Sequence, residues 1–555
     1  MKRIIQLGAA LGMALLLNFT AEAQISDQEV YEGIEFDMPK VKETSFPDLS
    51  KSIEEYGAVG DGMTKNSAAF KAAIEAVNGK GGGKVVVPRG VWLTGPITLL
   101  SNVNLHLEDG SLIIFSKDKD DYPLVETSFE GLNTIRCQSP INAYQVENIA
   151  ITGKGTIDGS GEAWRSVKKG KMTEDQWKKL VKSGGIVEGS NWYPSQSFLD
   201  GYKASSSFNV PDTKDRAELE KMKDFLRPVM VSIRESKRVL LDGPTFQNSP
   251  AWNIHPLMSE DVIIRNLSVR NPWFSQNGDG LDLESCKNAL IYNNTFDVGD
   301  DAICIKSGKD KDGRDRAIPT ENVIIKNNVV YHGHGGVTVG SEMSSGVRNM
   351  HVSACTFIGT DIGLRFKSTR GRGGVVENIW ISDINMINIP TEAIGFNMFY
   401  TGNSPVIEED QSADDEARQE NLVPVTEETP VFRNIFMKNI TVTNSEISAS
   451  FMGLPEMKLE NVRLENSLLQ AKKGITVIDG EGLEFVNVRV ISEDTPLTIY
   501  NSQDIKVEGF SFGENGKPAV KVLGRSSNVQ LDQKDFSDPA KVSIGKGLEG
   551  EVKLK

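Results

Sequence analysis

From about Val85 onward one short pattern keeps returning, and it limits what this chain can fold into. Asp261-Val-Ile-Ile-Arg-Asn266, Asn288-Ala-Leu-Ile-Tyr-Asn293, Asn322-Val-Ile-Ile-Lys-Asn327 and Asn434-Ile-Phe-Met-Lys-Asn439 each open on Asn or Asp, carry an apolar run and reach Asn at the sixth position. Further runs begin near Arg238, Asn349, Asn378, Met457, Leu483 and Asp504, mostly about 21–34 residues apart, the range of solenoid repeats. A sandwich of hairpins would instead show two-residue turns at about 8–12-residue intervals. The spacing predicts an all-β parallel β-helix, each repeat making one coil of three short strands, with equivalent positions stacked about 4.8 Å apart. Asn266, Asn293, Asn327 and Asn439 are then expected to form an amide ladder at one turn. A single solenoid accounts for 555 residues without several domains.

The N-terminal part reads differently. Met1-Lys2-Arg3, the apolar stretch Ile4–Phe19 and Ala21-Glu22-Ala23 form a signal-peptide pattern over 1–23, implying a periplasmic or extracellular protein with no membrane span. An extended leader follows over 24–50, then the β-helix over 51–555. Its first element is a helix over Ala68–Val77, capped by Asn66, ended by Gly79 and covering the N-terminal end of the stack. The glycine run Gly79–Gly83 lies between helix and strand, the reverse of the order a phosphate loop needs, and reads as a turn. Two insertions break the period. The one at 165–225 forms a lid, a cleft wall or an ornament, and the acidic one at 408–420 forms a solvated loop. Cys137, Cys286, Cys304 and Cys355 have no zinc-type spacing and read as buried thiols, whose redox state the sequence leaves open.

Chemistry concentrates between Asn277 and Lys367. Asp279 and Asp300 are 21 residues apart, about one coil. Asp301 faces the same way only if the chain bulges or turns, for which Gly299 supplies the freedom. His334 lies near the equivalent point of the next coil, and Arg365 and Lys367 one coil later, at alternate and therefore co-facing positions. Three carboxylates beside one imidazole and two cations suit glycoside hydrolysis, in which one carboxyl keeps its proton and another is ionised.

These residues resemble glycoside hydrolase family 28, the polygalacturonases. The family pattern of Asn-x-Asp, Gly-Asp-Asp, Gly-His-Gly and Arg-x-Lys appears in order as Asn277/Asp279, Gly299/Asp300/Asp301, Gly333/His334/Gly335 and Arg365/Lys367. The resemblance runs from about Tyr56–Gly62 to the Asn378 coil, with Gly278 replacing the usual Thr and Phe366 the usual Ile. It implies a right-handed β-helix that hydrolyses α-1,4-galacturonosyl bonds of homogalacturonan with inversion and without a metal or other cofactor. It further implies Asp300 as general acid, Asp279 and Asp301 as water activators, and His334 tuning the cluster. Asn277, Arg365 and Lys367 would bind substrate. Inversion carries the expectation of acid and base about 6.5–9.5 Å apart. The stretch Ile305–Arg314 with Gly340–Met343 resembles the exo-acting bacterial members. There Arg314, Arg316 or Lys309 would meet a terminal carboxylate, Lys306 of the same stretch would bind substrate, and 165–225 would form the wall.

A formal net charge of −15 argues against nucleic acid as partner. Its distribution still admits an acidic polysaccharide, because residues 306–372 carry eleven Lys and Arg against six Asp and Glu. Alternatives are a hydrolase of galacturonate–rhamnose bonds in branched pectin, a calcium-dependent pectate lyase, and a non-catalytic β-helix adhesin. The sequence leaves oligomeric state open.

Overall fold

A computed structural model describes residues 24–207, 209–402 and 422–555. The signal peptide and the acidic 408–420 segment lie outside the described residues. Among those described, no helix is long and apolar enough to cross a membrane.

The repeats build parallel ladders. The stack Val239, Val262, Ala289, Val323, Met350, Ile379, Ile435 and Val462 runs in register through successive coils. All eight residues are buried, and the cluster they belong to extends from Ile53 to Leu548. A second stack is aromatic, with Phe366, Phe396 and Phe451 ring centroids 4.3 and 5.3 Å apart. Each coil buries its inward positions only against its neighbours, the solenoid principle.

The recurring Asn residues mark corners. Asn288, Asn322 and Asn349 open their runs at φ 58°, 59° and 55°, the left-handed region that asparagine tolerates better than other side chains. Their amides bridge coils, Asn322 donating to Asn288 at 3.0 Å and Asn349 to Asn322 at 3.2 Å. The ladder expected at the sixth position is mixed instead. Asn327 donates to Asn293 at 2.8 Å, whereas Asn266 donates to Asp242 and Asn439 to Asp383. Aspartate serves there because it accepts the same amide hydrogen. Replacing Asn322 with Ala removes both bridges from a left-handed residue. It is expected to lower stability by about 1–3 kcal/mol, read as a fall in denaturant midpoint at constant m value.

Helix α1 (Ser67–Asn78) packs its apolar face on the N-terminal coils, with Phe70, Ala73, Ile74 and Val77 buried. Asn66 does not cap it by side chain. Its Oδ1 accepts from Val59 N–H and its Nδ2 donates to the Val59, Thr64 and Leu93 carbonyls, so it secures the preceding loop. The leader lies along the outside of the coils, where Val30 and Val41 bury against Ile263, Leu290, Tyr292 and Ile324. The four cysteines are buried free thiols.

The elements that place the site are an antiparallel hairpin, β1 (Leu124–Phe129) and β2 (Leu132–Cys137), and six parallel strands. Those strands are β3 (Val231–Arg234), β4 (Ile254–Leu257), β5 (Leu281–Glu284), β6 (Ile303–Lys306), β7 (Gly335–Val339) and β8 (Ile362–Lys367). They pair in succession to make one face of the β-helix. In the 165–225 insertion, α2 (Glu174–Lys182) carries a Thr173/Gln176 capping box. Helix α3 (Asp310–Arg316) follows β6.

Candidate active site

Strand alternation sorts the side chains of β5 to β8. Leu281, Ile303, Val337 and Leu364 point into the core. The opposite positions stack Asp282, Cys304, Thr338 and Arg365 in one register row. Lys306 pairs in register with Glu284 in the next row out. Asp279 lies just before β5 and Asp300 and Asp301 just before β6. Gly280 N–H donates to the Asp301 carbonyl, so Asp301 sits one coil above the Asp279 segment. One oxygen of each of Asp279, Asp300 and Asp301 lies within 4.8 Å of the others.

The turn that presents Asp300 and Asp301 depends on glycine through space rather than through φ. A Cβ on Gly299 would meet Ser275 Oγ at 2.4 Å and the Pro272 carbonyl at 2.5 Å. Gly299 is therefore required by close approach of the preceding coil's loop, and its backbone is not left-handed.

Each acid has its own environment. Burial disfavours ionisation of Asp301, but Lys367, Arg365 and Lys306 outweigh it and hold the carboxyl far below the usual range. Lys367 Nζ donates at 2.8 Å and Arg365 Nη1 at 2.9 Å. Asp300 is likewise opposed by burial and lowered on balance by His334, whose Nδ1 lies 3.3 Å away. The same contact raises His334 above an ordinary histidine against the cost of its burial. Asp279 goes the other way: burial, then the charges of Asp300 and Asp282, push it well above the carboxylate range. Burial and neighbouring charge thus set Asp279 apart from Asp300 and Asp301, whose carboxyls are favoured as anions.

The expected residues meet in one cavity of about 520 Å³, lined by Asn277, Asp279, Asp300, Asp301, Lys306, His334, Arg365 and Lys367. Asn277 is fixed from the side by Arg227 Nη2 at 3.0 Å. Lys306 is buried, donates to Glu342 at 2.8 Å and lies 4.8 Å above the Trp252 ring. Arg314 is not part of the cavity. Its guanidinium donates to the Gly371 and Arg372 carbonyls and to Glu428, so it braces a loop and is not offered to a ligand. Arg316 is likewise engaged, by Glu284 at 2.5 Å, whereas Lys309 reaches the cavity.

Several participants were not anticipated from sequence. Asp282 is fully buried with neither oxygen hydrogen-bonded, and Lys306 Nζ is 3.6 Å away. Its signal was its place three residues after Asp279, in the register row that leads to Arg365. Glu342, Trp252 and Tyr400 also line the cavity, and Lys367 Nζ lies 5.0 Å from the Tyr400 ring. The 165–225 insertion contributes Ser166, Lys168, Lys171, Asn191, Tyr193 and Asn209 to the lining, which makes it a wall.

A bridge crosses the cleft beside Asn277. The β1–β2 hairpin enters from the rim that precedes the floor strands, and its tip meets the rim that follows them. Lys309 N–H donates to the Gly131 carbonyl at 3.1 Å, and Asn133 N–H to Asp312 of α3 at 3.1 Å. Phe129 lies on Trp252 with centroids 4.6 Å apart, and Arg316 Nη2 donates to Ser128 at 3.2 Å.

The profile of glycosyl hydrolases family 28 matches residues 214–414. The crystal structure of a hyperthermoactive exopolygalacturonase from Thermotoga maritima is 34% identical with a TM-score of 0.66, covering 81% of this chain and 93% of that one. A probable polygalacturonase from Vitis vinifera is 28% identical over 347 residues, 61% of this chain and 60% of its own. The exo-poly-alpha-D-galacturonosidase of Dickeya chrysanthemi is 28% identical over 371 residues, 64% and 58% respectively. The chain thus spans about three-fifths of the length of these two curated relatives.

Proposed function

The chain belongs to glycosyl hydrolases family 28, and from that membership we propose that it hydrolyses α-1,4-galacturonosyl linkages of polygalacturonate from the chain end. The observation that carries the exo reading is the hairpin bridge, because a cleft spanned from rim to rim beside Asn277 leaves no path for a chain to continue. The two relatives named as exo-acting support the same reading.

In this proposal Asp300 protonates the leaving glycosidic oxygen. The proton comes from the His334–Asp300 pair, in which the raised imidazole stores it beside the carboxylate. Asp301, kept ionised by Arg365 and Lys367, and Asp279, whose raised value makes its carboxylate the stronger base, orient and deprotonate the attacking water. Arg365 and Lys367 also line the cavity, where they offer cationic hydrogen-bond donors to a uronate carboxylate. Inversion rests on family membership alone. The carboxylate oxygens approach within 4.8 Å, closer than the separation of about 6.5–9.5 Å expected of an inverting pair.

The test is the mature protein on polygalacturonate, with product length and anomer followed from the first minutes. Monomer or dimer alone, released as the β-anomer, is the expected result. A ladder of oligomers overturns exo action, an initial α-anomer overturns inversion, and no new reducing ends overturns the hydrolase itself.

A further inference from the structure

The bridge that closes the cleft carries an acid into it. Glu130 stands at the hairpin tip at φ 49° and lines the same cavity as Asp279 and Asp300. Glutamate rarely adopts left-handed backbone, and the tip is fixed by fit. A Cβ on neighbouring Gly131 would come within 2.5 Å of Lys309 N. Glu130 Oε1 accepts from Asn209 Nδ2 at 2.5 Å, the hydrogen bond this carboxyl makes among the described residues. Asn209 Nδ2 also reaches Asn277 Oδ1 at 3.2 Å, and Arg227 donates to both asparagine oxygens. The second carboxyl oxygen is left for a ligand.

That placement is unusual for a polyuronate site. A carboxylate repels the carboxylate of any sugar that continues past it, but accepts a hydrogen bond from a hydroxyl. A chain end has such a hydroxyl where an internal sugar has its next glycosidic bond. The geometry also indicates which end. Glu130 connects through Asn209 to Asn277, beside Asp279, on the coil before Asp300. Asp300, which protonates the leaving oxygen in the proposed mechanism, lies on the next coil with Asp301, so the leaving group extends toward the later coils, away from the bridge. The sugar at the bridge is therefore the one whose anomeric carbon is attacked, and its free end is the non-reducing one.

We propose that Glu130 is a specificity-determining residue that accepts the C4 hydroxyl of the non-reducing terminal uronate. The assignment rests on the exo reading above. The experiment compares a saturated trigalacturonate with a trimer whose non-reducing residue is 4,5-unsaturated and so lacks that hydroxyl. The wild-type chain is expected to favour the saturated trimer by about 100-fold in kcat/KM, the worth of one hydrogen bond to a charged acceptor. Glu130→Ala is expected to remove most of that preference by slowing the saturated trimer and leaving the unsaturated one nearly unchanged. Glu130→Gln, which keeps the shape and an acceptor for Asn209, is expected to fall between them and guards against misfolding. A preference unchanged in both variants, or equal losses on both trimers, overturns the role of Glu130 alone. A wild-type chain that releases no product from polygalacturonate overturns the hydrolase reading, and this assignment with it.

Discussion

Asp300→Asn is expected to lower kcat by about 10³-fold or more with KM changed little, since a positioned acid supplies about 10²–10⁴-fold and an amide cannot give up a proton. Early-time reducing-end assays on polygalacturonate measure it. The substitution also removes the charge that raises His334. A histidine whose folded value lies above its unfolded one, about 6.5, contributes stability in full below that pH and loses it as pH rises through the folded value. The variant should therefore lose stability below the folded His334 value and little above it, and an imidazole titration by NMR should shift downward. Asp279→Asn makes the contrast. Burial and the charges of Asp300 and Asp282 disfavour the Asp279 carboxylate in the folded state, so an amide relieves that cost while it removes a base. Activity should fall as steeply while stability holds or rises. Equal destabilisation in the two variants would contradict this difference in environment.

Lys367→Met is expected to cost about 3–5 kcal/mol of stability, the range for removing one partner of a buried pair. Asp301 is 1% exposed and has two cationic partners, Lys367 at 2.8 Å and Arg365 at 2.9 Å. The substitution leaves Arg365 as the one cation hydrogen-bonded to this carboxylate. The pH dependence gives the signature. Asp301 is depressed in the folded state, so its contribution is present above the unfolded carboxylate value of about 3.9 and disappears as pH falls through the folded value. Wild type and variant should converge in acid and diverge toward neutrality, as read by denaturant midpoints across pH. Adding Asp301→Asn to Lys367→Met should recover most of the loss, because the stranded charge goes with it. A double variant no more stable than the single one would place the cost elsewhere.

The parts of this site legible in sequence were those the ladder itself dictates. Asp279, Asp300, His334 and Arg365 come from successive coils, so their order and spacing already imply one face, and Asn288, Asn322 and Asn349 announce the corners by residue type. Arg314 was misjudged because a charged loop shows nothing about its partners, and its carbonyl acceptors lie 57 and 58 residues away. Glu130 was invisible for a related reason. It belongs to a hairpin outside the repeat, and its meaning depends on Asn209, 79 residues on. Asp282 was within reach, since strand alternation from Arg365 leads back to it through register. Its environment was not, because burial with neither oxygen bonded is a property of packing.

Coil lengths in this chain vary, yet the corner asparagines 34 and 27 residues apart still meet amide to amide. Whatever a loop adds between two corners, the next strand returns to the same rung. The catalytic spacing is thus insulated from loop length, and a lineage is free to lengthen its loops into walls and bridges without disturbing the chemistry beneath. On such a scaffold, where a polymer is cut and how a bond is broken can evolve as separate traits.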